Sequence, residues 1–135
     1  EQFKSFSQSP SIFIGSMILR ALVTQPPFTT KDGSTIRSLL DLSNAPVQNQ
    51  SLAEATIPPG GATQRHYHRD SEEFYFILEG QGQIEIDGEI KDVHPGDAIL
   101  IPPGAWHQIT SNSESPLRLL CCCAPPYSHE DTYFE

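Results

Sequence analysis

Residues 60–80 read GGATQRHYHRDSEEFYFILEG, and residues 96–112 read GDAILIPPGAWHQITSN. The first stretch sets His66 and His68 two residues apart. On a strand such residues face the same side, so both imidazoles project into one space. Gln64 and Asp70 share that parity if the strand continues. Glu73 opens a strong aromatic and aliphatic strand, Glu73 to Glu79, after a short connection. An antiparallel pairing of the two would bring its carboxylate to the histidines. In the second stretch His107 follows Trp106 at the start of another strand.

Three imidazoles and one carboxylate suit a borderline divalent ion such as Mn, Fe, Ni, Cu or Zn. Four protein ligands leave two positions of an octahedral ion for water, a substrate oxygen or dioxygen. Ligand chemistry alone leaves a second reading open. A single His-x-His pair also fits a polar strand face, and His107 fits an ordinary satisfied histidine.

Spacing against the glycines separates the two readings. The first stretch is Gly60-x5-His66-x-His68-x4-Glu73-x6-Gly80, and the second is Gly96-x5-Pro102-x-Gly104-x2-His107, with 15 residues between them. These resemble the two motifs of the cupin superfamily. The one departure is Ser111, followed by Asn112, where the second motif carries an asparagine that is not a metal ligand. The resemblance implies an all-β fold, a double-stranded β-helix or jelly-roll barrel, with a metal near its wider mouth held by His66, His68, Glu73 and His107. Gly60, Gly80, Gly96 and Gly104 are expected at turns where a Cβ would obstruct. Asp32-Gly33-Ser34, Ser51 to Ala55 and the tail Pro125 to Thr132 also look like a subgroup of small single-domain cupins labelled mannose-6-phosphate-isomerase-like. That label describes a family better than an activity.

The rest of the chain agrees with a barrel. With 135 residues, 12 prolines and 9 glycines, it reads as one domain of short strands closed by tight turns. Strands are expected at residues 18–23, 52–57, 63–68, 73–79, 83–87, 89–93, 97–101, 106–110 and 117–123. Residues 36–42 fit either a strand or a short helical turn, and Asp32-Gly33 marks a turn before them. Residues 1–16 read as an N-terminal arm before the domain at 17–135, because Gly15-Ser16 ahead of Met17 is a dipeptide common at expression-vector junctions. The tail from Pro125 carries no clear period and reads as an extension.

A net charge of −9 argues against nucleic acid, which needs a basic face. No apolar run approaches a membrane-spanning helix. Cys121, Cys122 and Cys123 are consecutive and odd in number, unlike a secreted disulfide framework, so the cytoplasm is expected. Cys121 and Cys123 would share one face of a strand.

These features predict a metal-dependent enzyme of dioxygenase, isomerase or decarboxylase type acting on a small oxygen-rich molecule. The alternative is a non-catalytic cupin that holds a metal or ligand for sensing or storage. Strand parity from Glu73 turns Tyr75 and Ile77 inward. Tyr75 and Gln64 are the expected pocket residues, orienting substrate or supplying a proton, with plain barrel lining as the other reading. Trp106 points away from the ligands, and so do Arg65 and Arg69, which disfavours a phosphosugar. A homodimer is expected, with residues 18–23 as a candidate exchanged strand.

Overall fold

The computed structural model describes residues 15–30 and 32–135. Its strands are β1 (Phe28–Thr29), β2 (Thr35–Leu40), β3 (Ser51–Ile57), β4 (His66–His68), β5 (Glu72–Glu79), β6 (Gly82–Ile86), β7 (Glu89–Val93), β8 (Ala98–Ile101), β9 (His107–Ser111), β10 (Leu117–Ala124) and β11 (Thr132–Phe134). They form two antiparallel sheets, ordered β1-β2-β3-β10-β5-β8 and β11-β4-β9-β6-β7. The two face each other as a jelly-roll barrel.

Alternation decides what each strand buries. In β5, Glu73, Tyr75 and Ile77 are buried while Phe74 and Phe76 are exposed. Ile57, Ile77 and Leu119 from one sheet meet Ile84 and Ile109 from the other in one apolar core. Each such side chain stabilises the fold by roughly 1.5–3 kcal/mol when fully buried. Above this floor the first sheet turns small residues inward. Ser38 pairs with Ala53, Ala53 with Cys121, and Cys121 with Tyr75, while Ser51 pairs with Cys123 and Cys123 with Glu73. Small side chains opposite the histidines leave the barrel's upper half unfilled.

The structure corrects several expectations. Residues 18–23 form no strand; Leu22–Thr24 is a single 3-10 turn, which Pro26 and Pro27 stop from extending. The arm at 1–16 lies outside the described residues except for Gly15 and Ser16. Residues 36–42 are strand as far as Leu40, and Asp41 to Asn44 make the turn. Glu73 is not on a strand paired with β4, because β4 and β5 belong to opposite sheets. Its carboxylate reaches the histidines across the barrel interior. Among the four motif glycines only Gly80 is crowded, where a Cβ would lie 2.4 Å from the Pro116 carbonyl oxygen. At Gly60, Gly96 and Gly104 a Cβ would meet open space; their positive φ angles are what favour glycine there.

The tail is the largest departure. It folds back so that Thr132 pairs with His68, Tyr133 with Tyr67 and Phe134 with His66. Before it, the Asp131 carboxylate accepts the N–H groups of Asp70 and Ser71 at 2.9 and 3.1 Å. The tail therefore shapes the connection between β4 and β5.

Candidate metal centre

β4 is only three residues long, yet both its edges are paired. His66 lies opposite His107 of β9 on one side, and β11 covers the other. Tyr67 points outward, stacked on Tyr133 at 5.0 Å with Trp106 edge-on at 4.7 Å. Alternation along β4 turns His66 and His68 inward on the opposite face. The Gly104 N–H donates to the His68 carbonyl at 2.7 Å, which ties the two motifs together.

His66, His68, Glu73 and His107 converge in the barrel, with one ligand atom from each within 4.8 Å of all the others, and all four are buried. Glu73 Oε1 lies 3.3 Å from His68 Nε2 and 3.5 Å from His107 Nε2. The far nitrogen of each ring is engaged. His66 Nδ1 donates to the Gln64 carbonyl at 2.7 Å and His107 Nδ1 to the Ala105 carbonyl at 3.0 Å. His68 Nδ1 donates at 3.1 Å to the Thr132 hydroxyl, whose own proton goes to the Ser128 carbonyl. With Nδ1 protonated in each neutral ring, the Nε2 lone pairs of His68 and His107 face the carboxylate.

Acceptors facing acceptors in a buried space call for a cation between them. Glu73 Oε1 and His107 Nε2 are indeed buried without a hydrogen-bond partner. A divalent transition ion fits this donor set. Without an ion, burial opposes the charge on Glu73, but the His107 and His68 imidazoles hold its carboxyl below the usual carboxylate range. Burial lowers His66, helped by His107. It also opposes charging of His68, yet the neighbouring Glu73 holds that ring's pKa above its ordinary value.

A cavity opens beside these four groups, lined by Tyr75, Thr63, Cys121, Tyr127 and Phe134 among others. It offers about 80 Å3 to water-sized molecules. Of the two expected pocket residues, Tyr75 lines it and Gln64 does not. Gln64 is exposed, because strand geometry begins only at His66 and the parity argument does not extend two residues earlier. Its contribution is the carbonyl that orients His66. Thr63, buried one residue before, takes the wall position.

Three contributors were not anticipated from sequence. Cys123 donates its S–H to Glu73 Oε2 at 3.0 Å, steadying the carboxylate while Oε1 faces the histidines. Thr132 and Phe134 arrive with the tail. The alternation Thr132-Tyr133-Phe134 of β-branched and aromatic residues was the available signal, but three residues are too few to fix a period. The other two histidines, His94 and His129, are exposed and apart from the cluster.

Fold and site together define a class: a small antiparallel barrel carrying a buried cluster of three histidines and one glutamate, able to hold a metal, beside an open cavity. The chain belongs to the cupin family, since the cupin domain model matches residues 53–123. It is 51% identical over 106 residues to an uncharacterised protein of Methanocaldococcus jannaschii, spanning 78% of this chain and 85% of that one. It is 34% identical over 85 residues to an L-ectoine synthase of Bordetella petrii, covering 62% of each. Among solved structures, the polyketide cyclase RemF of Streptomyces resistomycificus superposes with a TM-score of 0.72 at 25% identity, over 86% of this chain and 89% of that one. No helix among the described residues is long and apolar enough to cross a membrane.

Proposed function

We propose that this cupin is a metal-dependent enzyme acting on a small oxygen-rich molecule. One observation carries the reading: the orphaned ligand atoms of Glu73 and His107 belong to a cluster that borders an open cavity with polar groups converging on it. Such a cavity favours catalysis over passive metal holding. The synthase and the cyclase among its relatives support the same choice. A divalent transition ion held by His66, His68, Glu73 and His107 supplies Lewis acidity toward substrate oxygen atoms. The protein supplies the rest. Burial, then the charge of Glu73, pushes the Tyr75 phenol well above its usual range, so Tyr75 acts as a proton or hydrogen-bond donor. Apolar lining from Ile36, Ile57 and Ile109 seats the substrate's carbon frame.

The discriminating experiment is oxygen uptake by the reconstituted protein across small diketones, thiols, phenols and sugar acids. Uptake assigns an oxygenase, and turnover without uptake assigns isomerase- or decarboxylase-type chemistry. Ligand-induced spectral change without turnover of any compound returns the function to a binding module.

Cys123 enters this reading as the group that steadies Glu73. Cys123→Ala is expected to weaken zinc affinity by about 10- to 100-fold, the usual cost of losing a partner behind a metal ligand. Cys123→Ser keeps a donor and retains most of the affinity. Competition against a chelating dye measures both, and equal affinity in Cys123→Ala and the wild type removes the role.

We also propose a homodimer in a reducing, cytoplasmic setting, consistent with three free thiols. Its support is the outer face of the first sheet. There Phe74, Phe76 and Leu100 are 50%, 42% and 53% exposed and sit side by side on β5 and the edge strand β8. Solution scattering at micromolar concentration should give twice the chain mass; a monomer refutes it.

A further inference from the structure

The cavity wall has a one-sided charge. Among the described residues it carries three carboxylates, Asp32, Asp41 and Glu73, and no lysine or arginine. Two arginines among the described residues are held in ion pairs away from it. Arg65 pairs with Glu85 at 2.6 Å, and Arg118 bridges Glu54 and Glu79 at 2.6 and 2.8 Å. Hydroxyls from Thr30, Ser34, Ser38, Thr63 and Thr132 share the lining.

Asp32 is the carboxylate built to meet a ligand. Its Oδ1 accepts the Thr30 hydroxyl, the Ser34 hydroxyl and, at 2.9 Å, the Ser34 N–H. Its carbonyl accepts the Gln64 N–H at 2.7 Å, which anchors the turn to the segment leading into His66. No described residue donates to Oδ2. Asp32 shares the cavity wall with His66, His68, Tyr75, Cys121 and Tyr127. Asp41 differs: the Ser38 hydroxyl occupies one of its oxygens and Ser43 the other.

Building on the metal-enzyme reading above, we infer that the cavity selects a small uncharged hydroxylated molecule over phosphate esters and other anions, with Asp32 Oδ2 accepting a substrate hydroxyl. Among the described residues the lining sets three carboxylates, Asp32, Asp41 and Glu73, against the two charges of a divalent ion. An anion entering beside Asp32 and Asp41 therefore meets a net negative wall even with the ion bound. A hydroxyl finds a fixed acceptor there. Asp32 is thus a specificity-determining residue.

The test uses the cobalt-loaded protein, wild type and Asp32→Asn, with cobalt content measured first. Asparagine keeps the Oδ1 acceptor and hence the turn, removes the charge, and puts an amide donor in place of the Oδ2 acceptor. Each protein is titrated with azide, glycerol and glycerol 3-phosphate, read in the visible spectrum of the bound cobalt. Azide is expected to bind about tenfold more tightly to Asp32→Asn, as follows from removing one nearby unit charge. Glycerol 3-phosphate should bind the wild type no more tightly than glycerol. Azide affinities within twofold of each other, or undetectable in both proteins, overturn the inference, as does a wild-type preference for glycerol 3-phosphate. Failure to take up cobalt at all sinks the metal reading and this inference with it, whereas normal uptake with the wrong anion preference sinks the inference alone.

Discussion

Replacing His66 and His68 together by alanine is expected to leave the protein without stoichiometric metal, where the wild type holds about one ion per chain after reconstitution. The two rings supply half of the ligand set, and their Nε2 atoms are pre-aimed by Nδ1 bonds to Gln64 and Thr132. Loss shows in elemental analysis and in stability. An ion present at 1,000 times its dissociation constant stabilises a folded protein by roughly 4 kcal/mol, and the double variant should gain none of it. Glu73→Gln is the companion variant, because it keeps the side chain's shape and an oxygen near Cys123 while removing the charge. It should lose affinity without losing the fold. Wild-type protein that binds no transition metal would falsify the assignment outright.

The metal-free protein is expected to unfold steeply in alkali. Burial first, and the charge of Glu73 next, push the Cys121 and Cys123 thiols and the Tyr75 phenol above their ordinary values of 9.0 and 10.0. The sign follows from linkage. A group with its folded pKa raised contributes stability that is complete below the unfolded value and drains away as pH rises beyond it. Above about pH 9 each thiol therefore costs up to about 1.4 kcal/mol per pH unit, with the phenol joining about one unit higher. By about pH 11 the combined loss approaches the whole stability of a small domain, about 5–15 kcal/mol. Urea titrations between pH 8 and 11 measure the slope. Cys123→Val should flatten it by roughly one thiol's share, and a flat profile in the wild type would show that these groups do not titrate as buried acids.

How much of this was legible in the sequence depended on where local rules hold. β5 alternates over eight residues, so the inward set Glu73, Tyr75 and Ile77 follows from parity alone. The three consecutive cysteines divide as parity requires, with Cys121 and Cys123 on the cavity and Cys122 off it. The motif spacing singled out the four side chains that converge in the barrel. What failed was set by tertiary contact. Gln64 lies on irregular backbone whose shape is fixed by Asp32, 32 residues earlier. The Glu73 carboxylate arrives from the opposite sheet, which no pairing rule between adjacent strands could supply. The tail became a strand because β4 offered it an unpaired edge, and three residues carry too little pattern to announce that.

The closing of β4 by that tail has a kinetic consequence. His68 and Thr132 are 64 residues apart, Ser71 and Pro125 are 54 apart, and Glu73 and Cys123 are 50 apart. Contacts of such range form only after long loops have closed, and their entropy makes barrels of this kind slow to fold, in milliseconds to seconds. The groups that orient His68 and Glu73 are thus among the last to assemble, whereas those of His66 and His107 lie two residues away. A nascent or partly folded chain presents scattered imidazoles rather than the gathered cluster, so metal capture by the proposed site would belong to the finished barrel and its rate would follow that of folding.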